Sequence, residues 1–178
     1  PEWNDANNAL AGYGLSIVTT AYLRRMLSFL KGLYAASPDA SFTLPKTEKA
    51  FFDEILKIYS GTAPENTNND TARAQFTRAC GVAFEKERKA FYKDPSLLTK
   101  TTSIKKDELL AAIDVFMNHL EYSIKANKKD NGLFHSYNIL GIGKDTMKVS
   151  YLQEMLEGQV AVLSSKMLSS KEVCEMYT

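Results

Sequence analysis

Between Leu109 and Ile124, apolar side chains recur every three or four residues, at Leu109, Ile113, Phe116, Met117, Leu120 and Ile124. That spacing is the signature of an amphipathic helix with one buried face. The same rule, carried along the chain, yields helix after helix. Leu15, Val18, Tyr22, Met26, Phe29, Leu30 and Leu33 place a first helix from about Gly14 to Tyr34, which Ala35 to Thr43 ends. Pro45 suits a first helical turn, and Phe51, Phe52, Ile55, Leu56 and Tyr59 give a second helix that stops before Gly61 and pairs antiparallel with the first. Thr62 to Asn69 is polar and holds Pro64, so it reads as a loop, with Asp70 or a neighbouring Asn capping a third helix. The apolar face of that helix is Phe76, Ala79, Cys80, Ala83, Phe84 and Phe91. Ser96 to Thr102 is a linker before the helix of Leu109–Ile124, which begins near Ser103. A fifth helix is expected from about Ser150 to Lys166, and Ser169-x-x-Glu172 is a capping box that opens a sixth. The expectation is an all-α fold of antiparallel helical hairpins, one helical domain over residues 1–178.

Composition excludes several function classes. A chain of 178 residues buries enough surface to need neither a disulfide nor a metal staple. Lys plus Arg (22) nearly balance Asp plus Glu (21), which argues against nucleic acid as the main partner. Lys86, Arg88 and Lys89 alternate with Glu85 and Glu87 and read as a solvated face. The uncharged run from Ala6 to Leu23 approaches membrane length, but Asn7, Asn8, Ser16, Thr19 and Thr20 interrupt it, so no membrane partner is expected. Cys80 and Cys174 form no metal or redox motif and are expected to be buried free thiols. His119 has no helical partner histidine or Glu-x-x-His setting, so no metal ligand is assigned. Gly141-x-Gly143-Lys144 lacks both the Ser or Thr and the earlier Gly of a phosphate loop.

Two stretches carry chemistry. Glu2-Trp3-Asn4-Asp5-Ala6-Asn7-Asn8 sets two carboxylates, three carboxamides and an indole within eight residues of the start of the chain. Carboxylates supply acid or base, amides hydrogen-bond hydroxyls and an indole face packs on a sugar ring; the same residue types also serve as a helix-capping loop. Residues 126 to 149 form the one long run without helical period, too apolar for disorder. Within it, His135 and Tyr137 are alternate positions on an extended segment, facing one side together with Leu133, either as sugar contacts or as loop anchors.

The first stretch, continued by Gly12-Tyr13-Gly14 and Tyr22-Leu23-Arg24-Arg25, resembles bacterial proteins related to cellobiose phosphorylases and debranching glucosidases. Asp130-Asn131-Gly132-Leu133-Phe134-His135-Ser136-Tyr137-Asn138 is similar to a second loop of the same proteins, and Tyr151 to Val160 fits that setting. The resemblance implies part of a six-hairpin (α/α)6 toroid in an enzyme that hydrolyses or phosphorolyses a glycosidic bond. It implies Asp5 as general acid with Glu2 as the neighbouring carboxylate, Trp3 stacked on a sugar, and Asn4, Asn7 and Asn8 on hydroxyls or on Asp5. The implied partners are an oligosaccharide and the remainder of a larger chain. No cofactor is implied beyond inorganic phosphate as co-substrate of a phosphorylase, and these 178 residues alone are expected to lack turnover. Ala6 departs from the Gly that follows the Asp in cellobiose phosphorylases proper, so the resemblance does not carry over their local backbone geometry or their substrate. The competing class is a non-catalytic helical scaffold or partner-binding module. Helix faces left without neighbours are expected to drive self-association.

Overall fold

A computed structural model describes residues 13–176. The stretch with Glu2, Trp3, Asn4, Asp5, Asn7 and Asn8 lies outside them. In order, the elements are β1 (Gly14–Ser16), α1 (Ile17–Ala36), β2 (Ser41–Pro45), α2 (Lys46–Ser60), α3 (Asp70–Lys93), β3 (Thr101–Lys105), α4 (Lys106–Lys125), β4 (Tyr137–Ile142), β5 (Met147–Tyr151), α5 (Leu156–Ser164) and α6 (Ser170–Glu175). Short 3-10 turns occupy Pro64–Asn68 and Pro95–Thr99.

The all-α expectation is overturned, and with it the toroid of helical hairpins, because the chain builds two antiparallel sheets, β1-β4-β5 and β2-β3. β1 takes Gly14–Ser16 from the start of the expected first helix, β2 overlaps the end of the expected break Ala35–Thr43, and β3 takes the end of the expected linker together with Ser103–Lys105, expected to open a helix. In β2, Phe42 and Leu44 alternate with polar neighbours, and Phe42 lies opposite Ile104 of the β-branched β3. Five residues suffice for a strand; the alternation of β2 rests on two apolar positions only, and β3, Thr101–Lys105, carries a single one, Ile104. The aperiodic run 126 to 149 contains β4 and most of β5, a hairpin closed by the Gly143 N–H donating to the Thr146 carbonyl at 2.9 Å. The fifth helix is correspondingly shorter than expected, since Ser150 and Tyr151 belong to β5.

Local signals at helix ends hold. Asn69 Oδ1 accepts from the Thr71 and Ala72 N–H groups at 3.0 and 3.1 Å, capping α3. Ser169 and Glu172 form the reciprocal capping box of α6. The basic cluster of α3 is a solvated face, with Arg88 and Lys89 on Glu85 and Lys86 on Glu54. Cys80 is half-buried and Cys174 exposed, so the expectation of two buried thiols fails outright at Cys174 and is met only in part at Cys80.

The chain divides into two compact units, Phe29–Phe116 and the described residues of Pro1–Ser28 with Met117–Thr178. In the continuous unit, α2 meets α3 and α4 through edge-to-face rings, Tyr59 on Phe76 and Phe116, and Phe52 on Phe116. Lys49 of α2 joins Asp53 and Glu108 at 2.7 and 2.8 Å. In the divided unit the core is Ile17, Val18, Ala21, Ile124, Phe134, Tyr137, Ala161 and Val162. Arg24 crosses the edge of that core, its guanidinium donating to Glu121 Oε1 at 2.7 and 2.9 Å and to the Ser165 carbonyl at 2.7 Å.

The apolar stripe of α1 is only partly core. Val18 and Ala21 are buried, whereas Tyr22, Met26, Phe29 and Leu33 are exposed. Among the described residues, no helix is long and apolar enough to cross a membrane.

Candidate functional site

The second chemistry-bearing stretch begins with a turn. Gly132 sits at φ +82°, a conformation costly for any residue with a Cβ, and its N–H donates to the Lys129 carbonyl at 3.0 Å. Asn131 Oδ1 accepts the Leu133 N–H at 3.1 Å, and the Lys129 N–H reaches the Leu133 carbonyl at 2.8 Å. Asp130-Asn131-Gly132 is therefore a structural hairpin tip, and it sends Phe134 into the core.

From Phe134 to Ser136 the chain is held by isolated backbone bridges, Phe134 to Lys128 and His135 to Glu154, and by contacts with α5. Gln159 reads both sides of the Phe134 backbone, its Oε1 accepting from the N–H at 2.9 Å and its Nε2 donating to the carbonyl at 2.7 Å. Ser136 Oγ accepts from the Gly158 N–H and donates to the Met155 carbonyl, both at 3.0 Å. That hydroxyl satisfies a first-turn donor of α5, which has no cap from its own Met155 side chain. The fit leaves no room, since a Cβ on Gly158 would lie 2.1 Å from Ser136 Oγ.

These contacts break the simple alternation expected of His135 and Tyr137. Regular pairing starts only at Tyr137, and Phe134, Ser136, Tyr137 and Asn138 are all buried. Tyr137, 2% exposed, is part of the core, whereas His135 is half-buried and stacks on Tyr151 with ring centroids 4.5 Å apart. The expected sharing of one face therefore does not occur. Below the strand start, Asn138 Nδ2 donates to Asn127 Oδ1 at 2.7 Å, and Asn127 Nδ2 donates to the Ser123 carbonyl at 2.7 Å, tying β4 to α4.

His135 gathers the polar groups of this surface. Its Nδ1 lies 2.7 Å from the Leu152 carbonyl, which only accepts, so Nδ1–H is the donor of that bond and Nε2 is the other ring nitrogen. The backbone of His135 bridges to that of Glu154. The Glu154 carboxylate is ion-paired to Lys129 and accepts from Asn131 Nδ2 at 3.2 Å. The Lys129 ammonium first, then the Glu154 backbone N–H and the Asn131 amide, hold this carboxyl down at about 2. Glu154 is thus an ionised acceptor and not a proton donor near neutrality.

Lys129, Asn131, His135, Tyr151 and Glu154 together offer a cation, an amide, an imidazole, a carboxylate and a ring that is 52% exposed. That set suits hydrogen bonding to hydroxyls with stacking on a ring face. Lys129, Tyr151 and Glu154 escaped the sequence reading because no short motif joins them; the signal present was the charge complementarity of Lys129 and Glu154, 25 residues apart. Among the described residues, no group of three or more His, Cys, Asp or Glu is placed to hold a metal ion. His119, buried on α4, is outside this cluster.

The depressed value of Glu154 has a measurable consequence. A carboxyl lowered on folding contributes stability that is complete above its ordinary value of 4.5 and is lost as pH falls towards 2. The difference in unfolding free energy between wild type and Glu154→Gln should therefore shrink across that interval. A difference that stays constant with pH would show that the Lys129 pair does not act on folding.

No family model matches the chain, and no curated protein matches it.

Proposed function

We propose that the chain is part of a carbohydrate-active enzyme that cleaves glycosidic bonds, with the divided unit contributing to the sugar-contacting surface. The observation that supports this reading most is the pairing of β1 with β4. Ser16 lies opposite Tyr137 and Gly14 opposite Ile139, and the Leu140 N–H donates to the Tyr13 carbonyl at 2.7 Å. The strand that follows the Trp3-Asn4-Asp5 stretch is thereby hydrogen-bonded to the strand that follows the Asp130–Ser136 loop. Two segments that carry the resemblance, far apart in sequence, are neighbours in one sheet. The chemistry of the His135 cluster, an acceptor carboxylate on the segment bridged to His135 and an exposed ring stacked on the imidazole, is compatible with a polyhydroxylated ligand.

In this reading Asp5 protonates the leaving glycosidic oxygen, Glu2 raises its pKa, Trp3 stacks on a sugar ring and Asn4, Asn7 and Asn8 bind hydroxyls or orient Asp5. Water or inorganic phosphate then attacks from the opposite face. The test is turnover of α- and β-linked oligosaccharides, with and without phosphate, by the intact protein that carries this chain. Asp5→Asn should lower kcat by roughly 10²–10⁴-fold with the fold retained, and phosphate dependence separates phosphorolysis from hydrolysis. Unchanged activity in Asp5→Asn would remove the acid role, and absence of turnover on every sugar would overturn the reading.

A second reading, a partner-binding module, is favoured by one observation: the exposed apolar stripe Tyr22, Met26, Phe29 and Leu33 of α1. Concentration-independent monomer mass in sedimentation would count against self-association through it.

A further inference from the structure

Asn131 is followed by Gly132, the one Asn-Gly pair in the sequence. A side-chain amide is especially reactive there, because glycine has no Cβ to hinder attack by its own nitrogen. The Gly132 nitrogen, on losing its proton, bonds to Asn131 Cγ; the Cγ–Nδ2 bond breaks and the amine leaves as ammonia. Water then opens the resulting succinimide at either carbonyl, giving an aspartyl or an isoaspartyl residue. Water is consumed and ammonia released, with no oxidation or reduction. Asn131 is exposed, so that water has access.

The hairpin tip holds both nitrogens that must change. The Gly132 N–H donates to the Lys129 carbonyl at 3.0 Å, a bond that breaks when the nitrogen gives up its proton. Asn131 Nδ2, the leaving group, donates to Glu154 Oε1 at 3.2 Å, a bond that breaks when ammonia departs. The Leu133 N–H works the other way, since by donating to Asn131 Oδ1 at 3.1 Å it polarises the carbonyl under attack. That bond exists before attack and only strengthens, whereas the other two are lost whole, so the closed tip protects the amide. The products fit the closed tip poorly. An isoaspartyl linkage adds a carbon to the main chain next to Gly132, where even a Cβ would stand 3.3 Å from the Glu175 carbonyl oxygen. Either product also replaces the donor to Glu154 with a second carboxylate.

We infer that Asn131 is a gated deamidation site: the closed tip preserves its amide as a donor to Glu154, and opening of the tip lets it convert to a carboxylate that faces Glu154 with like charge. This inference needs only the hairpin and is independent of the carbohydrate reading.

The test incubates the intact chain in mildly alkaline buffer, with and without urea, and follows Asn131 by peptide mapping in a mass spectrometer, with isoaspartate resolved from aspartate by electron-transfer fragmentation. Loss of the amide should be about 30-fold slower in the folded chain than in urea, the worth of two ordinary hydrogen bonds. Glu154→Ala, under conditions where circular dichroism shows it folded, should raise the folded rate about fivefold, the worth of one such bond, and leave the rate in urea unchanged. Asn131→Asp, which is the aspartyl product made directly, should raise the pH at which the Glu154 carboxyl titrates in carbon NMR. Equal rates with and without urea, a folded rate that Glu154→Ala leaves unchanged, or a Glu154 titration that Asn131→Asp does not move overturns the inference. A faster reaction in the folded chain overturns it too, and would show that the polarising contact from Leu133 outweighs the two protective bonds.

Discussion

Gly158→Ala should lower the free energy of unfolding by about 2–3 kcal/mol in a denaturant titration. The added Cβ would meet Ser136 Oγ at 2.1 Å and Ser136 Cα and Cβ at 2.9 Å. Because one of those atoms is backbone, no change of rotamer relieves the clash, and α5 must move away from the 134–136 segment. Overpacking of this kind costs about 1–3 kcal/mol. The move also strains the Gly158–Ser136 and Gln159–Phe134 hydrogen bonds, each worth about 1 kcal/mol. The higher helix propensity of alanine returns about 1 kcal/mol. Adding Ser136→Gly to the variant should restore part of the loss, since it removes two of the three contacts and leaves the third. A single-variant effect below about 0.5 kcal/mol, the range of an unremarkable surface change, would mean that α5 does not depend on this close approach.

Arg24→Met should cost a comparable amount, about 2–3 kcal/mol. The guanidinium side chain is 13% exposed and makes three hydrogen bonds, two to Glu121 Oε1 and one to the Ser165 carbonyl at the end of α5. Methionine preserves much of the volume and leaves a carboxylate and a carbonyl without their donor. Removing one partner of a fully buried pair costs about 3–5 kcal/mol. Glu121 is 27% exposed, and water reaching it reduces that figure. Arg24→Lys should recover less than half, because an ammonium does not reproduce the planar fork that spans both acceptors. The decisive measurement is a double-mutant cycle with Glu121→Leu. The double variant should be more stable than Arg24→Met alone, since the stranded charge has gone with its partner. Additive losses would locate the effect in the packing of the Arg24 stem and not in the ion pair.

What was legible in the sequence is what repeats within a few residues. Leu109 to Ile124 marks α4, observed as Lys106–Lys125, and the Asn69 and Ser169 caps are local patterns that need no distant partner. The strands were not legible for the same reason. Thr101–Lys105 has no readable period in five residues, and its meaning depends on Ser41–Pro45, on the far side of two helices. Periodicity also says which face of a helix is apolar without saying what covers it, so Tyr22, Met26, Phe29 and Leu33 looked like core and are exposed. At the candidate site, His135 was found because its loop carries a motif. Its orientation relative to Tyr137 was not, because the chain bends at Ser136, where a strict period of two is broken. Lys129 and Glu154 meet only once the loop has turned at Gly132 and the chain has passed through β4 and β5.

The antiparallel contact of β1 with β4 also orders events in time. Ser16 and Tyr137 are 137 − 16 = 121 residues apart, and everything from Phe29 to Phe116 is made between them. During synthesis the first strand and the first half of α1 therefore emerge long before the residues they pair with, while the continuous unit already has its whole sequence available. Contacts that close so long a loop form late and slowly. The divided unit is thus assembled last, and until then Ile17 and Val18 lack the partners that bury them, a nascent apolar surface for chaperones to shield.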